Sequence, residues 1–555
     1  MKPLTLPLLS VTLSAFFISG CGSSSDSGSS SNQNTSSNNT STSSYDLSGT
    51  ITGLDGSLEL KESQSGKTLS VTDGSFKFEG FSNGDTYEIT LAAAPTGQQI
   101  CSVEGLSGSI NEASVSNLDI NCRDWEDSST QISSSTATES INPDLASNGT
   151  SVLAYWESSM PLQGEQLAGN AYSLSTSSWN SSPTGTYPGT GGQTRDQVQI
   201  VANTSDNETV IYLESPTSGS DALYAVIDSS STSIHDPDAG AGDVTQAAVA
   251  MDSQGHTLVA FLQSDAGGKP SIYYNYHDGS SWSGAAKLET DDTNDAYAPA
   301  VAFTADGKGV AAWAQDNGSL GTSIYASIYN GTSWTSPTEV DTLSGGYANA
   351  ATQAPAINVS DEGDLLLVWA QGNGQASSHA TNLYAAFYTS ADGWGTPFEV
   401  DASSNTQVAS YPQAYDYDAN TSQVIWAQNN QGLTAQCSFT TKSCETPKVF
   451  ADSGLYNSSP VWAVDGAGNQ VFAWKQNDES GNQQVYSRRY HQLGSNWSDA
   501  MQMSTGTQDI EGMDLLHDDK TFMLVWASDN KIQARAHRQT STTSGSQVIS
   551  KAGSF

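Results

Sequence analysis

Positive charge is what this sequence lacks most. Lys and Arg number 19 against 59 Asp and Glu, for a formal net charge of −40. Such a surface repels nucleic acid and anionic lipid headgroups over long range, so no nucleic-acid partner is expected. Long Leu/Ala/Glu/Lys helical patterns are missing, and so are the G-x-S-x-G, HExxH and Rossmann fingerprints. Gly66-Lys67-Thr68 suggests a phosphate loop, but Lys61 stands where that motif requires glycine. The seven histidines are scattered and read as surface residues. The acids are spread too, and none forms the spaced Asp/Asn ladder with glycine of an EF-hand loop. Asp291-Asp292-Thr293-Asn294-Asp295 is the nearest approach. No metal or other cofactor is assigned, and a peripheral Ca2+ is left open.

Gly, Ser, Thr and Asn are abundant and aromatics reach 9%. With the helical patterns absent, that balance predicts an all-β protein with many turns. The N-terminus comes first. Lys2 precedes an apolar run through Leu4, Leu6, Leu8, Leu9, Val11, Leu13, Phe16, Phe17 and Ile18. The run is too short and interrupted for a spanning helix and suits a secretory signal. Ile18-Ser19-Gly20-Cys21 resembles the bacterial lipobox. The resemblance implies lipidation of Cys21, which becomes the mature N-terminus, and Gly22 after it implies the outer membrane. Residues 22–44 are almost wholly Ser, Asn, Gly and Thr, a composition that cannot bury apolar surface and predicts a flexible tether.

Four cysteines remain once Cys21 is set aside: Cys101, Cys122, Cys437 and Cys444. An oxidising compartment allows three pairings, and proximity favours 101–122 and 437–444. The first closes a loop of about 20 residues, worth roughly 3 kcal/mol by chain entropy. Zinc is disfavoured, because the spacings are wrong and no histidine accompanies either pair.

Residues 45–122 carry short alternating runs: Leu47–Ile51, Ser57–Leu60, Ser75–Phe78 and Tyr87–Leu91. Each is bounded by Gly, Asp or Asn turns, the pattern of a half-buried antiparallel sheet. With "PTGQQICSV" and "VSNLDINC", the stretch resembles the small β-sandwich modules that follow the tether in bacterial lipoproteins.

The rest of the chain repeats itself. Trp313-Ala314-Gln315, Trp369-Ala370-Gln371 and Trp426-Ala427-Gln428 share one tripeptide, and Trp474-Lys475-Gln476 and Trp526-Ala527-Ser528 vary it. Phe261, Tyr212 and Tyr155 head worn copies upstream. The eight aromatics recur about every 53 residues, a period that signals a β-propeller. In the fourth copy, "APAVAF", "GVAAWAQ", "SIYASIY" and "TSWTSPTEV" give strands a to d. Strands a and b are near-continuous apolar runs, as strands covered on both faces should be. The aromatic is therefore assigned to the gap between sheets, and the glutamine to satisfying loop backbone groups. At about 25 cal/mol per Å2 and about 150–250 Å2 per ring, each anchor contributes several kcal/mol of gross burial. The last copy lacks an outer strand. Residues 124–132, Asp124 to Ile132, are expected to supply it, with "SQVIS" (546–550) as the rival donor.

The expected architecture is thus all-β, an eight-bladed β-propeller with a small N-terminal β-sandwich domain. Its parts are a signal peptide (1–21), a tether (22–44), the sandwich (45–122), the propeller (123–540) and a C-terminal tail (541–555).

Asp278-Gly279-Ser280-Ser281-Trp282, Asn330-Gly331-Thr332-Ser333-Trp334 and Asp392-Gly393-Trp394 resemble degenerate Asp-boxes of the sialidase-like (BNR) propellers. That motif braces a turn and implies fold kinship, not activity. The activity the family implies needs three arginines on a substrate carboxylate, a Tyr/Glu nucleophile pair and an acid Asp. This chain has six arginines: Arg123, Arg195, Arg488, Arg489, Arg535 and Arg538. Only Arg195 falls near the top of an inner strand. No catalytic residue is assigned, and the sequence leans away from an enzyme.

The b–c and d–a connections look long and polar, so a ligand is expected on their shared face. Tyr297, Tyr347, Tyr411 and Tyr456 recur there, ahead of Pro299, Pro355, Pro412 and Pro460, with Asp295, Asn349, Gln353 and Asn457 nearby. Amphipathic rings flanked by amides and carboxylates suit sugar hydroxyls and C–H faces. They also suit bracing of the blade junctions. The main functional expectation is an outer-membrane lipoprotein, anchored through its N-terminal lipid, that binds a glycan or an envelope protein without catalysis. A glycoside-acting enzyme of sialidase-like fold and an envelope-assembly scaffold are the alternatives.

Overall fold

The computed structural model describes residues 44–538 apart from short internal stretches, of which 342–353 and 373–380 are the longest. Cys21, the tail 541–555 and its segment "SQVIS" lie outside the described residues. Every regular element among those described is a β-strand.

Residues 45–123 form two four-stranded sheets. One runs in the order Gly74–Phe81, Tyr45–Thr52, Ile120–Arg123, Ile100–Ser102; the other is Thr68–Val71, Leu58–Glu62, Thr86–Ala93, Ser107–Ser109. Their alternating apolar positions meet in one core containing Leu47, Ile51, Leu60, Phe76, Phe78 and Ile89. The pairing departs from the antiparallel expectation along Tyr45–Thr52, which lies parallel to Ile120–Arg123 and makes a parallel bridge from Leu47 to Val115. The disulfide Cys101–Cys122 joins neighbouring strands of the first sheet, and Cys437–Cys444 joins the two outer strands of a later one.

Among the described residues eight further sheets of four or five strands follow. They occupy 139–188, 194–233, 244–287, 296–339, 356–399, 410–451, 456–502 and 513–538, and are called blades 1 to 8. Strands run outward from a to d. Each strand a touches strand a of the next blade, and blade 8 touches blade 1, so the sheets form a closed ring.

The apolar cores explain the repeat. Eight clusters lie between blades, and each contains one aromatic from the middle of strand b packed against the preceding blade. These anchors are Trp156, Tyr212, Phe261, Trp313, Trp369, Trp426, Trp474 and Trp526, none more than 2% exposed. One gap needs one anchor. The expected first copy was off by one residue: Trp156, not Tyr155, fills the gap toward blade 8. Adjacent residues of a strand face opposite ways, so Tyr155 lies in the other gap, against Val198 and Tyr212, while Trp156, like Trp313, stands opposite the bulge of strand a.

The glutamine has a different duty from the one expected. In blades 4 to 7 its Oε1 accepts the indole N–H of the tryptophan two residues before, at 3.0, 2.8, 3.3 and 2.9 Å. A buried N–H without an acceptor is costly, which is why Trp and Gln travel together. The amide nitrogens of Gln371 and Gln428 then donate to Asp341 and Asp401, at the end of strand d in the preceding blade. Gln263 follows the backbone expectation, bonding both N–H and C=O of Asp236.

Blade 8 receives its outer strand from the N-terminal side. Thr130–Gln131 pairs antiparallel with Lys531–Arg538, Gln131 opposite Gln533, and Trp125 bridges to His537. This covers the outer edge of Lys531–Arg538 and gives blade 8 four strands like its neighbours. The same segment seats the sandwich: Ile100 and Trp125 share a core with blades 7 and 8, and Arg489 donates to the Pro95 carbonyl at 3.3 Å.

Candidate functional site

The inner strands share a feature the sequence did not disclose. A bulge interrupts strand a near its start in blades 1, 2, 3, 4, 6 and 7. An extra residue there is accommodated by left-handed backbone: Asn142, Gln197, Ala298 and Tyr411 have φ of 49°, 52°, 50° and 53°. In blade 8 Gly512, with φ of 87°, holds the corresponding place without a side chain to strain. The bulges aim polar groups along the ring. Asp144 accepts from Ile200 N at 2.8 Å, Asp514 from Leu145 N at 3.0 Å, and Gln246 from Ala298 N at 2.7 Å. Gln199 donates to the Ala247 carbonyl at 2.7 Å. Neighbouring blades are thereby laced together around the axis.

Nearer the a–b turns, the inner strands enclose a void of ≈ 770 Å3, its open mouth included. Leu145, Ile200, Met251, Trp462 and Leu515 give it apolar walls, with Ser147, Tyr415 and His517 as the polar exceptions. It lies at the end of the ring opposite the expected ligand face.

That face is also less uniform than expected. The b–c connections of blades 6 and 8 are two-residue turns, Asn429-Asn430 and Asp529-Asn530, all four with positive φ. In blades 3 and 7 the turns are closed by Asp265 and Asp478, which accept backbone N–H groups inside five residues. Of the four tyrosines assigned to the rim, Tyr347 lies outside the described residues, as does the side chain of Tyr456. Tyr297 donates to Asp295 at 3.1 Å and Asp316 at 3.5 Å, and burial with these two acids pushes its phenol far above the usual range. Both acids flank the inner strands of its own blade. Tyr411 is different: it is 44% exposed and stands beside Val408, itself 39% exposed.

Charged groups complete the picture. Arg195 is buried, and its Nε and Nη2 both reach Glu214 Oε2, at 3.2 and 2.9 Å, while its guanidinium lies over the Tyr212 ring. Arg489 and Arg535 sit in outer strands against the sandwich; Arg535 donates to the Glu126 carbonyl. Arg488 binds backbone carbonyls of Ser498 and Phe450. Arg489 and Arg535 both lie near Asp124, away from the inner strands. The Glu157 carboxyl, buried beside Asn142 at the top of blade 1, is pushed up to about 8 by desolvation, with Asp196 and Glu165 adding to it. Asp291 spends its oxygens on Thr293 and Asn294 within its own turn. Among the described residues no group of three His, Cys, Asp or Glu side chains is placed to hold a metal. The Asp-box-like turns behave as braces: Asp278 accepts from Ser280 N and Ser281 N, and Asn330 from Thr332 N and Ser333 N.

No protein-family model and no curated protein matches the sequence. Solved structures give distant likenesses. A Hadza microbial sialidase is 9% identical, covers 85% of this chain and 79% of its own, and has a TM-score of 0.35. A polysaccharide lyase is 9% identical over 66% of this chain and 90% of its own, at 0.41. The β-propeller domain of the Trilobed protease from Pyrococcus furiosus is 8% identical over 66% and 99%, at 0.39. The fold assignment rests on the eight sheets and their cores.

Proposed function

We propose that this chain is a lipid-anchored outer-membrane protein whose propeller binds a glycan, without catalysis, at the end of the ring that carries Tyr411. The observation that carries the reading is the state of that residue. A large aromatic is held exposed near the start of an inner strand in left-handed backbone. The same left-handed bulge recurs at Asn142, Gln197 and Ala298, so it is the exposure of its ring that sets Tyr411 apart. An exposed ring among polar loops suits the C–H face of a sugar. The glycoside-acting alternative is disfavoured by Arg195, whose guanidinium is committed to Glu214. A sialidase-type grip needs arginine forks turned to the substrate.

Tyr411→Gly separates site from scaffold. Glycine adopts positive φ freely, so the variant is expected to melt within a few degrees of the parent while glycan-array binding drops about tenfold or more. Unchanged binding, or a collapse in melting temperature, would return Tyr411 to the scaffold. Anchoring is tested separately. Cys21→Ser is expected to leave the outer-membrane fraction or to stall in maturation; a variant that still carries an acyl anchor sinks the lipobox assignment.

A further inference from the structure

The void at the a–b end of the ring suits apolar matter. Leu145, Ile200, Met251 and Leu515 wall it, and Met251 and Leu516 are only half-buried there. Its polar members are already engaged. Ser147 donates to Asp518 and Tyr415 to Gln413, and the His517 ring packs on Phe522 with centres 4.5 Å apart. Water in such a space finds few partners, whereas an apolar group entering it escapes water itself. Much of the volume is open mouth, so a fitting occupant is one or two side chains.

The chain leaves blade 8 at this same end. Arg538, the last residue of strand c, pairs with Thr521, and Thr521 pairs with Asp518, which follows His517 of the wall. Two strand spacings put Arg538 about 10 Å from that edge of the void. Nine residues, Gln539 to Gln547, then lead to Val548-Ile549, the one branched apolar pair after blade 8. Extended, nine residues span up to about 30 Å, so the pair can reach the void. Blade 8 takes its outer strand from Thr130–Gln131 and does not need the pair there. Charge favours the same placement. Residues 539–555 include Lys551 and no acid, while the a–b turns of blades 2, 5 and 6 expose Asp206, Asp361 and Asp418.

We propose that Val548-Ile549 docks in the void and closes the axis of the ring at its a–b end, leaving Lys551 at the acidic rim. Attachment through so short a linker holds the pair at an effective concentration of order mM, enough to fill a shallow apolar site that a free peptide would leave largely empty. The docking stands apart from the glycan reading, whose residue Tyr411 lies at the other end of the ring.

Methyl NMR on the full chain, labelled at Met Cε and Ile Cδ1, tests it. A cross-peak is expected between the Met251 and Ile549 methyls, assigned through Met251→Leu and Ile549→Val. It should survive about tenfold dilution, because the contact lies within one chain. Val548→Ser with Ile549→Ser should move the Met251 resonance and leave those of Met160 and Met501 in place. The melting temperature should change by only a few degrees, since neither residue belongs to a blade. Xenon, which enters apolar cavities, should then shift Met251 in that variant and not in the parent. Absence of the cross-peak overturns the proposal. Loss of the cross-peak on dilution does so too, by making the occupant a segment of a second copy. A xenon shift as large in the parent as in the variant also overturns it, because the void would then be open to small apolar molecules.

Discussion

Trp369→Ala is expected to lower the stability of the ring by about 3–5 kcal/mol, the range for truncating a large aromatic in a core that cannot collapse around the void. The indole lies between blades 4 and 5 among Val310, Ile324, Leu365 and Leu367, all buried. Neither sheet can move inward, because each is held on its other side by the next gap. Gln371→Leu should cost less, about 1–3 kcal/mol, by leaving the indole N–H and Asp341 without their partner. The pair Trp369→Phe with Gln371→Leu removes donor and acceptor together and should be milder than the two single costs combined. Phe261 shows that a ring without an N–H can serve as anchor. Chemical unfolding midpoints decide the matter. A cost below about 1 kcal/mol for Trp369→Ala would refute the anchoring role, since cavity formation alone exceeds it.

Stability should also fall as pH rises, by several kcal/mol. Burial pushes Glu157 up to about 8 and Asp341 up to about 7, and burial with Glu399 nearby raises Asp401. Ordinary values are 4.5 for Glu and 3.8 for Asp. Between the ordinary and raised values the native state holds protons that the unfolded chain has released. The native state therefore binds more protons, and unfolding becomes easier with each step upward in pH. At about 1.4 kcal/mol per pK unit, Asp341 alone accounts for about 4 kcal/mol at full shift. Self-repulsion of a net charge of −40 acts in the same direction, and about 0.5 M salt screens it. In that salt, unfolding free energy is expected to be higher at about pH 5 than at about pH 8. Asp341→Asn with Asp401→Asn should flatten the difference, because an amide mimics the protonated acid. Equal stability at the two pH values, or Asn variants as steep as the parent, would show that these carboxyls ionise freely.

Legibility followed locality. The anchors, the four strands of a blade and the Asp-box-like turns depend on neighbours within one repeat, and the sequence displays them. "DWEDSSTQI" betrays the closing strand because the eighth copy visibly lacks one. Tyr155 misled because two aromatics adjoin, and only the bulge of strand a shows which of them matches the other anchors. The bulges leave only a partial trace: Asn142, Ala298 and Tyr411 share no residue type, but each is followed by a proline, Pro143, Pro299 and Pro412. Arg195 was legible as an inner-strand arginine, but its partner Glu214 becomes a neighbour only when strands a and b pair.

Order in time follows from where the ring is joined. Thr130–Gln131 is synthesised before any blade and can be paired only after Lys531–Arg538 exists, the contact from Ser129 to Gln533 spanning 404 positions. Every other blade draws its strands from one continuous stretch and can form as it emerges. Closing a loop of that length costs about 5 kcal/mol in chain entropy, against far less within a blade. Contacts so distant in sequence form late and slow the final step. Until they form, blade 8 presents an unpaired strand to its surroundings. The earliest piece of the ring is thus the one that waits longest for its partner.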